Sequence, residues 1–265
     1  MLRIVFALVA LLASFAGVAG EATQAPASAR PVAVLLITDP WAMVIGADTP
    51  WFALYDDGRV IFVEKTNAGA YTHMTARLSP AQLDDVEATL RGFIAEPVPK
   101  KIDLRPNWTD QPTSHLFLDV DGRKLVTEVH GLGHATAGVA LRLAGEKQPD
   151  VLPANIAGLH RYLADFHVAS ATKWIPDRLE VMFWDYSYAP DASIVWPASW
   201  PDLEDPTTLK RGDDYSIFLP GTQESALIAF LARRKKKGAI ALGGRKWAVD
   251  YRPVFPQWRD AFREP

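Results

Sequence analysis

Six histidines carry most of the chemistry this chain can offer, and the tightest pair is His130-Gly-Leu-Gly-His134. Two imidazoles four residues apart can share a zinc or copper ion when a third ligand arrives from elsewhere. With an acid from later in the chain, the pair would make a metal-dependent hydrolase. The metalloprotease spacing places a Glu directly after the first His of a helical pair; here Gly131 stands there. Hydrogen-bonded loop histidines are the simpler reading, and no cofactor is expected.

Nucleophiles are scarcer. The chain has no cysteine and no Gly-x-Ser-x-Gly elbow. Ser114 and His115 are adjacent, but successive strand residues point to opposite faces, so they cannot form a nucleophile–base contact. Gly131-Leu-Gly133 and Gly243-Gly244 lack the spacing and strand–helix context of phosphate and dinucleotide loops. Asp185, Asp191, Glu204, Asp205, Asp213 and Asp214 gather in sequence near the tryptophans. A glycosidase needs two carboxylates about 5–9 Å apart across a substrate; solvated surface acids explain the group more simply.

The most unusual local feature is Trp196-Pro197-Ala198-Ser199-Trp200-Pro201. Prolines hold such a stretch extended, and two amphipathic rings on it would form a stacking platform for a sugar or a peptide. The structural alternative tucks the same rings into the core. Arg233-Arg-Lys-Lys-Lys237 is expected to close the last long helix, where cations oppose the negative dipole end. Attachment to anionic lipid or cell-wall polymer is the competing use of that run.

These groups need elements to position them. Phe52 and Leu54, then Val60 and Phe62, alternate around Asp57-Gly58, which signals a hairpin. Ser79 and Pro80 start a helix as cap and first residue. Leu83, Val86, Leu90 and Ile94 give that helix one apolar face, and Pro97 and Pro99 end it. A second hairpin turns at Asp121-Gly122. Residues 131–143 read as a loop plus a short helix, and 153–166 as a helix with Ile156, Leu159, Leu163 and Phe166 on one side. Residues 179–186 and 215–219 read as strands, separated by an irregular proline- and tryptophan-rich segment over 190–206. A helix follows over 222–237, with Gly238 as its left-handed C-cap. A third hairpin then turns at Gly243-Gly244. Strand, helix, hairpin therefore occurs twice in the same order, which predicts two related units.

The stretch Leu54-Tyr-Asp-Asp-Gly-Arg-Val-Ile61 followed by Ala76-Arg-Leu-Ser-Pro-Ala-Gln-Leu83 resembles a group of uncharacterised bacterial secreted domains. Those also run strand, Asp-Gly turn, strand, "Leu-Ser" helix and second hairpin. The resemblance implies a fold and a secreted destination, and no activity. The cysteine motif found ahead of the first strand in that group is missing here.

The 265 residues are 49% hydrophobic and 22% charged, an ordinary globular composition that excludes disorder and collagen-like repeats. At roughly 150 residues per domain the length suggests one to two domains. A net charge of −3, from 28 basic and 31 acidic residues, argues against a nucleic-acid partner. Met1-Leu-Arg3, an apolar run from Ile4 to Ala19 and a small-residue tail read as a secretory leader. The apolar run falls short of the ~20 residues that span a bilayer, so an uncleaved anchor is the weaker reading.

The expectation is thus an α+β protein of two related units, each an antiparallel sheet of hairpins packed on a helix. Residues 1–20 form a signal peptide, 21–31 a disordered spacer, 32–170 the first unit and 171–265 the second. The chain is expected to reach the periplasm or the exterior and to bind an envelope polymer or another exported protein, without catalysis, through Trp196 and Trp200. The alternative is a metal-dependent hydrolase built on His130 and His134.

Overall fold

A computed structural model describes residues 29–42, 48–65, 71–132 and 149–263. Glycine turns seed several of its antiparallel pairings. At Asp121-Gly122 (φ 53° and 74°) and at Gly243-Gly244 (59° and 74°) both residues are left-handed, the turn geometry that matches strand twist. These turns join β6 (Thr113–Val120) to β7 (Arg123–His130) and β13 (Gly238–Leu242) to β14 (Arg245–Pro253). The turn between β2 (Pro50–Tyr55) and β3 (Arg59–Lys65) departs from the two-residue expectation. It holds three residues, and only Gly58 (φ 77°) is left-handed, the arrangement that closes with a bulge glycine. A Cβ at Gly58 would stand 3.1 Å from the Leu78 carbonyl.

The first sheet has eight strands in the order β5-β7-β6-β1-β2-β3-β4-β8. Its remaining members are β1 (Pro31–Thr38), β4 (Tyr71–Arg77), β5 (Lys101–Asp103) and β8 (Thr172–Lys173). One face is covered by α1 (Pro80–Phe93) and α2 (Ala154–Ala164). Ser79 caps α1 through a reciprocal pair: its hydroxyl accepts from the Gln82 N–H, and the Gln82 side chain accepts from the Ser79 N–H. Leu90 of α1 and Ile156, Leu159 and Leu163 of α2 are buried against Leu35, Phe52, Leu54, Phe62, Leu116 and Leu118. Phe166, just past α2, packs edge-on to Phe52 and Phe62 with ring centres 5.0 and 5.4 Å away.

The second sheet has six strands in the order β10-β13-β14-β9-β12-β11, adding β9 (Arg178–Asp185), β10 (Asp191–Val195), β11 (Leu209–Arg211) and β12 (Asp214–Pro220). Leu179, Val181, Phe183, Ile217, Leu219 and Trp247 form its core with Leu227 and Phe230 of α3 (Glu224–Ala232). The segment expected to be irregular contains β10, which runs parallel to β13 at the sheet edge. The last helix is shorter than expected. It stops before the basic run, because five successive cations repel one another on a helix and Arg234 reaches across to donate to the Val249 carbonyl at 3.2 Å. Gly238 opens β13 and has no left-handed φ. A glycine fits there because a Cβ would come within 2.9 Å of the Ala192 carbonyl.

The chain is therefore α+β with two sheet units, each packed on helix, and each sheet carries one parallel pair at an edge (β5 on β7, β10 on β13). The shared element order of the two units does not extend to strand order. The hairpin after α1 joins its sheet through its first strand, β6 on β1; the hairpin after α3 joins through its second, β14 on β9.

The two sheets are tied together by the chain's end. Phe255, Trp258, Ala261 and Phe262 lie on the far face of the first sheet, over Val34, Leu36, Ala53, Tyr55, Ile61 and Phe117. The Tyr55 hydroxyl donates to the Pro256 carbonyl at 2.9 Å. β8, from the linker between the units, adds to the first sheet beside β4. The leader, most of the spacer, and the short helix expected within 131–143 fall outside the described residues. The spacer's end is ordered: Arg30 brackets Asp56 through its backbone N–H and its guanidinium, and Pro31 already belongs to β1. Among the described residues no helix is long and apolar enough to cross a membrane.

Candidate functional site

The strand period sorts β6 and β7 into two faces. Leu116, Leu118, Leu125, Thr127 and Val129 turn to the helices and are buried; His115, Phe117, Asp119, Lys124, Val126 and Glu128 turn away. On that outer face cross-strand partners match in type: His115 with Glu128, Phe117 with Val126, Asp119 with Lys124. The His115 and Glu128 side chains approach to 3.4 Å and those of Lys124 and Asp119 to 3.7 Å. Phe117 and Val126 thus lie between two polar cross-strand pairs.

Phe117 and Val126 floor a groove of about 1550 Å³ whose opposite wall is the C-terminal segment, Gln257–Arg263. Val126 keeps 44% of its surface exposed there. Some charges on the walls are paired, Arg30 with Asp56 and Arg263 with Asp260, and the lining carries six basic and six acidic side chains. The groove therefore offers apolar contact with no excess of either sign, and favours a segment that brings no excess charge of its own.

At the groove's end Thr38, His115 and Glu128 form a hydroxyl–imidazole–carboxylate line. The Thr38 hydroxyl lies 3.2 Å from His115 Nε2, and Glu128 holds Nδ1. The same hydroxyl donates to the Thr113 carbonyl at 3.3 Å. The line positions no exposed nucleophile, because Thr38 lies in β1 with its hydroxyl against the neighbouring strand.

The residues singled out from sequence do not meet in this groove. Trp196 is 3% exposed in the core of the second unit. Its ring packs edge-on to Phe183, Trp200 and Phe230, and its N–H donates to the Pro201 carbonyl at 2.9 Å. Trp200, half-buried, packs on the same Phe230. As a stacking surface Trp196 is thus corrected to a core ring, while Trp200 beside it keeps part of its surface exposed. The prolines hold the loop so that both indoles point inward.

His130 ends β7. Its Nε2 donates to the Trp108 carbonyl at 2.7 Å, and its Nδ1 faces the Thr113 hydroxyl at 3.3 Å. Because a carbonyl only accepts, Nε2 carries a proton, and both ring nitrogens are engaged within the protein. His134 lies outside the described residues. Among the described residues no three His, Cys, Asp or Glu side chains come together as a metal site. His73 and His160 are half-buried, and the burial of their rings pushes both imidazoles below their ordinary pKa. His167 pairs with Glu64 at 3.0 Å on the surface. Of the acidic group, Asp185 accepts from Ser187, Asp191 from the Lys237 N–H and Asp205 from Thr207. These acids order turns.

Three features escaped sequence reasoning. Ser170-Ala-Thr-Lys173 has the Ser-x-x-Lys spacing, but it runs from an exposed turn into β8, and Lys173 pairs with Glu224 at 3.0 Å. The groove's paired rows were within reach, because counting outward from Asp121-Gly122 sets His115 opposite Glu128. The third is Glu180, a lone acid in an apolar strand. Its carboxylate is buried and accepts from Arg252 at 2.8 and 2.7 Å, from Ser216 at 2.8 Å and from Arg211 at 3.2 Å. Burial alone would raise its pKa; Ser216, Arg252 and Arg211 outweigh burial and hold it below the carboxylate range. Arg252 also donates to Asp48 of the first unit at 2.9 Å.

Compared with known proteins, the chain matches no family model, no curated protein and no solved structure.

Proposed function

We propose that this is an exported, non-catalytic binding protein that holds an extended, largely uncharged segment of another exported protein in the groove between β7 and Gln257–Arg263. The observation that supports it most directly is the exposed Val126 in a groove lined by as many acidic as basic side chains. An anionic envelope polymer would call for a cationic surface, which this groove is not. The neighbouring part of the same sheet face is already covered by a segment of the chain itself, the 3-10 turn Trp258–Phe262 that seats Trp258 and Phe262 there. The leader in the sequence supports the exported destination.

The test places a photoactivatable side chain at position 126 of the full-length protein in its own cells. One discrete cross-linked exported protein is expected. Cross-links no different from those obtained at exposed Tyr188, on the other unit, would refute the reading. Isolated cell-wall polymer that sediments wild type and Val126→Arg equally would exclude the groove as the site of envelope attachment.

A further inference from the structure

Three contacts at the seam between the two units converge on one titratable ring. His73 lies on β4, opposite Val63 of β3, on the face covered by the chain's end. Its ring stands edge-on to Trp174 of the linker and to Phe255 of the C-terminal segment, with centres 5.9 and 5.3 Å away. Those two rings are themselves 4.5 Å apart, and the Trp174 backbone N–H donates to the His73 carbonyl at 2.9 Å. The ring also bonds the Pro50 backbone, while its Nε2 is buried with no hydrogen-bond partner.

A neutral imidazole tolerates that position, because an unshared lone pair against aromatic edges forgoes little. A protonated one does not. It would carry a second N–H with no acceptor and a charge in an aromatic enclosure. The charged groups turned toward it are Glu224 at the start of α3 and Lys173 of β8, which are already paired with each other. Tyr251 of β14 shares the field of the same Glu224. β2 contributes the Pro50 backbone and the C-terminal segment contributes Phe255, neither of them a charge.

We propose that His73 makes this seam an acid-sensitive latch: neutral, it holds Trp174 and Phe255 together on the first sheet; protonated, it releases the C-terminal segment. The direction follows from linkage. Burial disfavours the charged ring, and the Pro50 bond and Glu224 oppose this without reversing it. The open state therefore binds the proton more tightly, and opening gains as pH falls through and below the ring's ordinary 6.5. Release frees the Tyr55–Pro256 bond and uncovers Val34, Ile61 and Phe117. Because that segment is one wall of the groove, acid would also widen it, a consequence that rests on the binding reading above.

Hydrogen–deuterium exchange of the full chain between pH 8 and pH 5, corrected for intrinsic exchange, tests the latch without any partner. Residues 254–262 are expected to open by up to tenfold more per pH unit below about 6.5, with residues 113–130 still protected. His73→Phe fills the enclosure and cannot titrate, and should abolish the pH dependence. Should His73→Phe fail to fold, His73→Gln, polar and non-titrating, takes its place. Wild-type pH dependence in either folded variant, or none in the wild type, overturns the proposal. Failure of the cross-linking experiment would leave this result untouched.

Discussion

Replacing Arg252 by Met should be the most informative single perturbation of this fold. The Glu180 carboxylate and the Arg252 guanidinium are both nearly sealed from solvent, at 4% and 7% side-chain exposure. Arg252 supplies both bonds to one carboxylate oxygen; Ser216 and Arg211 serve the other. Met at 252 leaves a buried acid with half its partners, and breaking such a pair costs about 3–5 kcal/mol. The half-exposed Arg211 still offsets part of the charge, so the low end, about 3 kcal/mol, is expected. That lowers the melting temperature by roughly 6–12 °C at the 2–4 °C per kcal/mol typical of this size. The double variant Glu180→Leu with Arg252→Met removes both charges and should recover most of the loss, because apolar replacements of whole buried pairs are neutral or stabilising. Urea unfolding at neutral pH measures all four corners of the cycle. A single-variant loss under about 1 kcal/mol, or a double variant no better than Arg252→Met, would refute the argument that desolvated charge dominates here.

The same network fixes the acid limb of stability. Burial would raise the Asp48 pKa, but Arg252 and Arg259 outweigh it and depress it, as Glu180's is depressed. Both contributions are full above the ordinary carboxylate pKa near 4. They should fade as pH falls below it, a slope that titrated melting curves would show and that Arg252→Met should flatten; an unchanged slope contradicts the assignment. Trp196→Ala should cost about 3–5 kcal/mol in urea unfolding, as for other buried large aromatic residues, and a loss near zero would mean the ring is not a core member. Gly221→Ala should cost about 3 kcal/mol, the top of the overpacking range, since its Cβ would fall 1.7 Å from the Pro176 carbonyl oxygen. A thermally unchanged Gly221→Ala protein would show that the Pro176 backbone yields.

The local grammar of this chain was readable residue by residue. Ser79-Pro80 with Gln82 three positions past the cap specifies a helix start whatever surrounds it, because cap and first residue satisfy their own backbone groups. Asp121-Gly122 and Gly243-Gly244 specify hairpins because their conformation is available to few other pairs. With each turn fixed, the period of two decides which side chains share a face, and so the pairing of His115 with Glu128 lay within reach. Where local rules compete, sequence reading failed. Gly238 looked like a helix cap and is a close-approach glycine; the cations before it looked like a helix end and follow the helix.

What only the tertiary structure decided is which faces meet. Trp196 and Trp200 are amphipathic rings equally able to face water or core, and their sequence is the same in both cases; the space left between α3 and the second sheet chose the core. Neither the groove nor the seam at His73 and Arg252 is written locally, because each joins residues some two hundred positions apart, such as Tyr55 with Pro256 and Asp48 with Arg252. Such contacts gain their energy from apolar surface and charge buried together, and burial belongs to the folded chain as a whole.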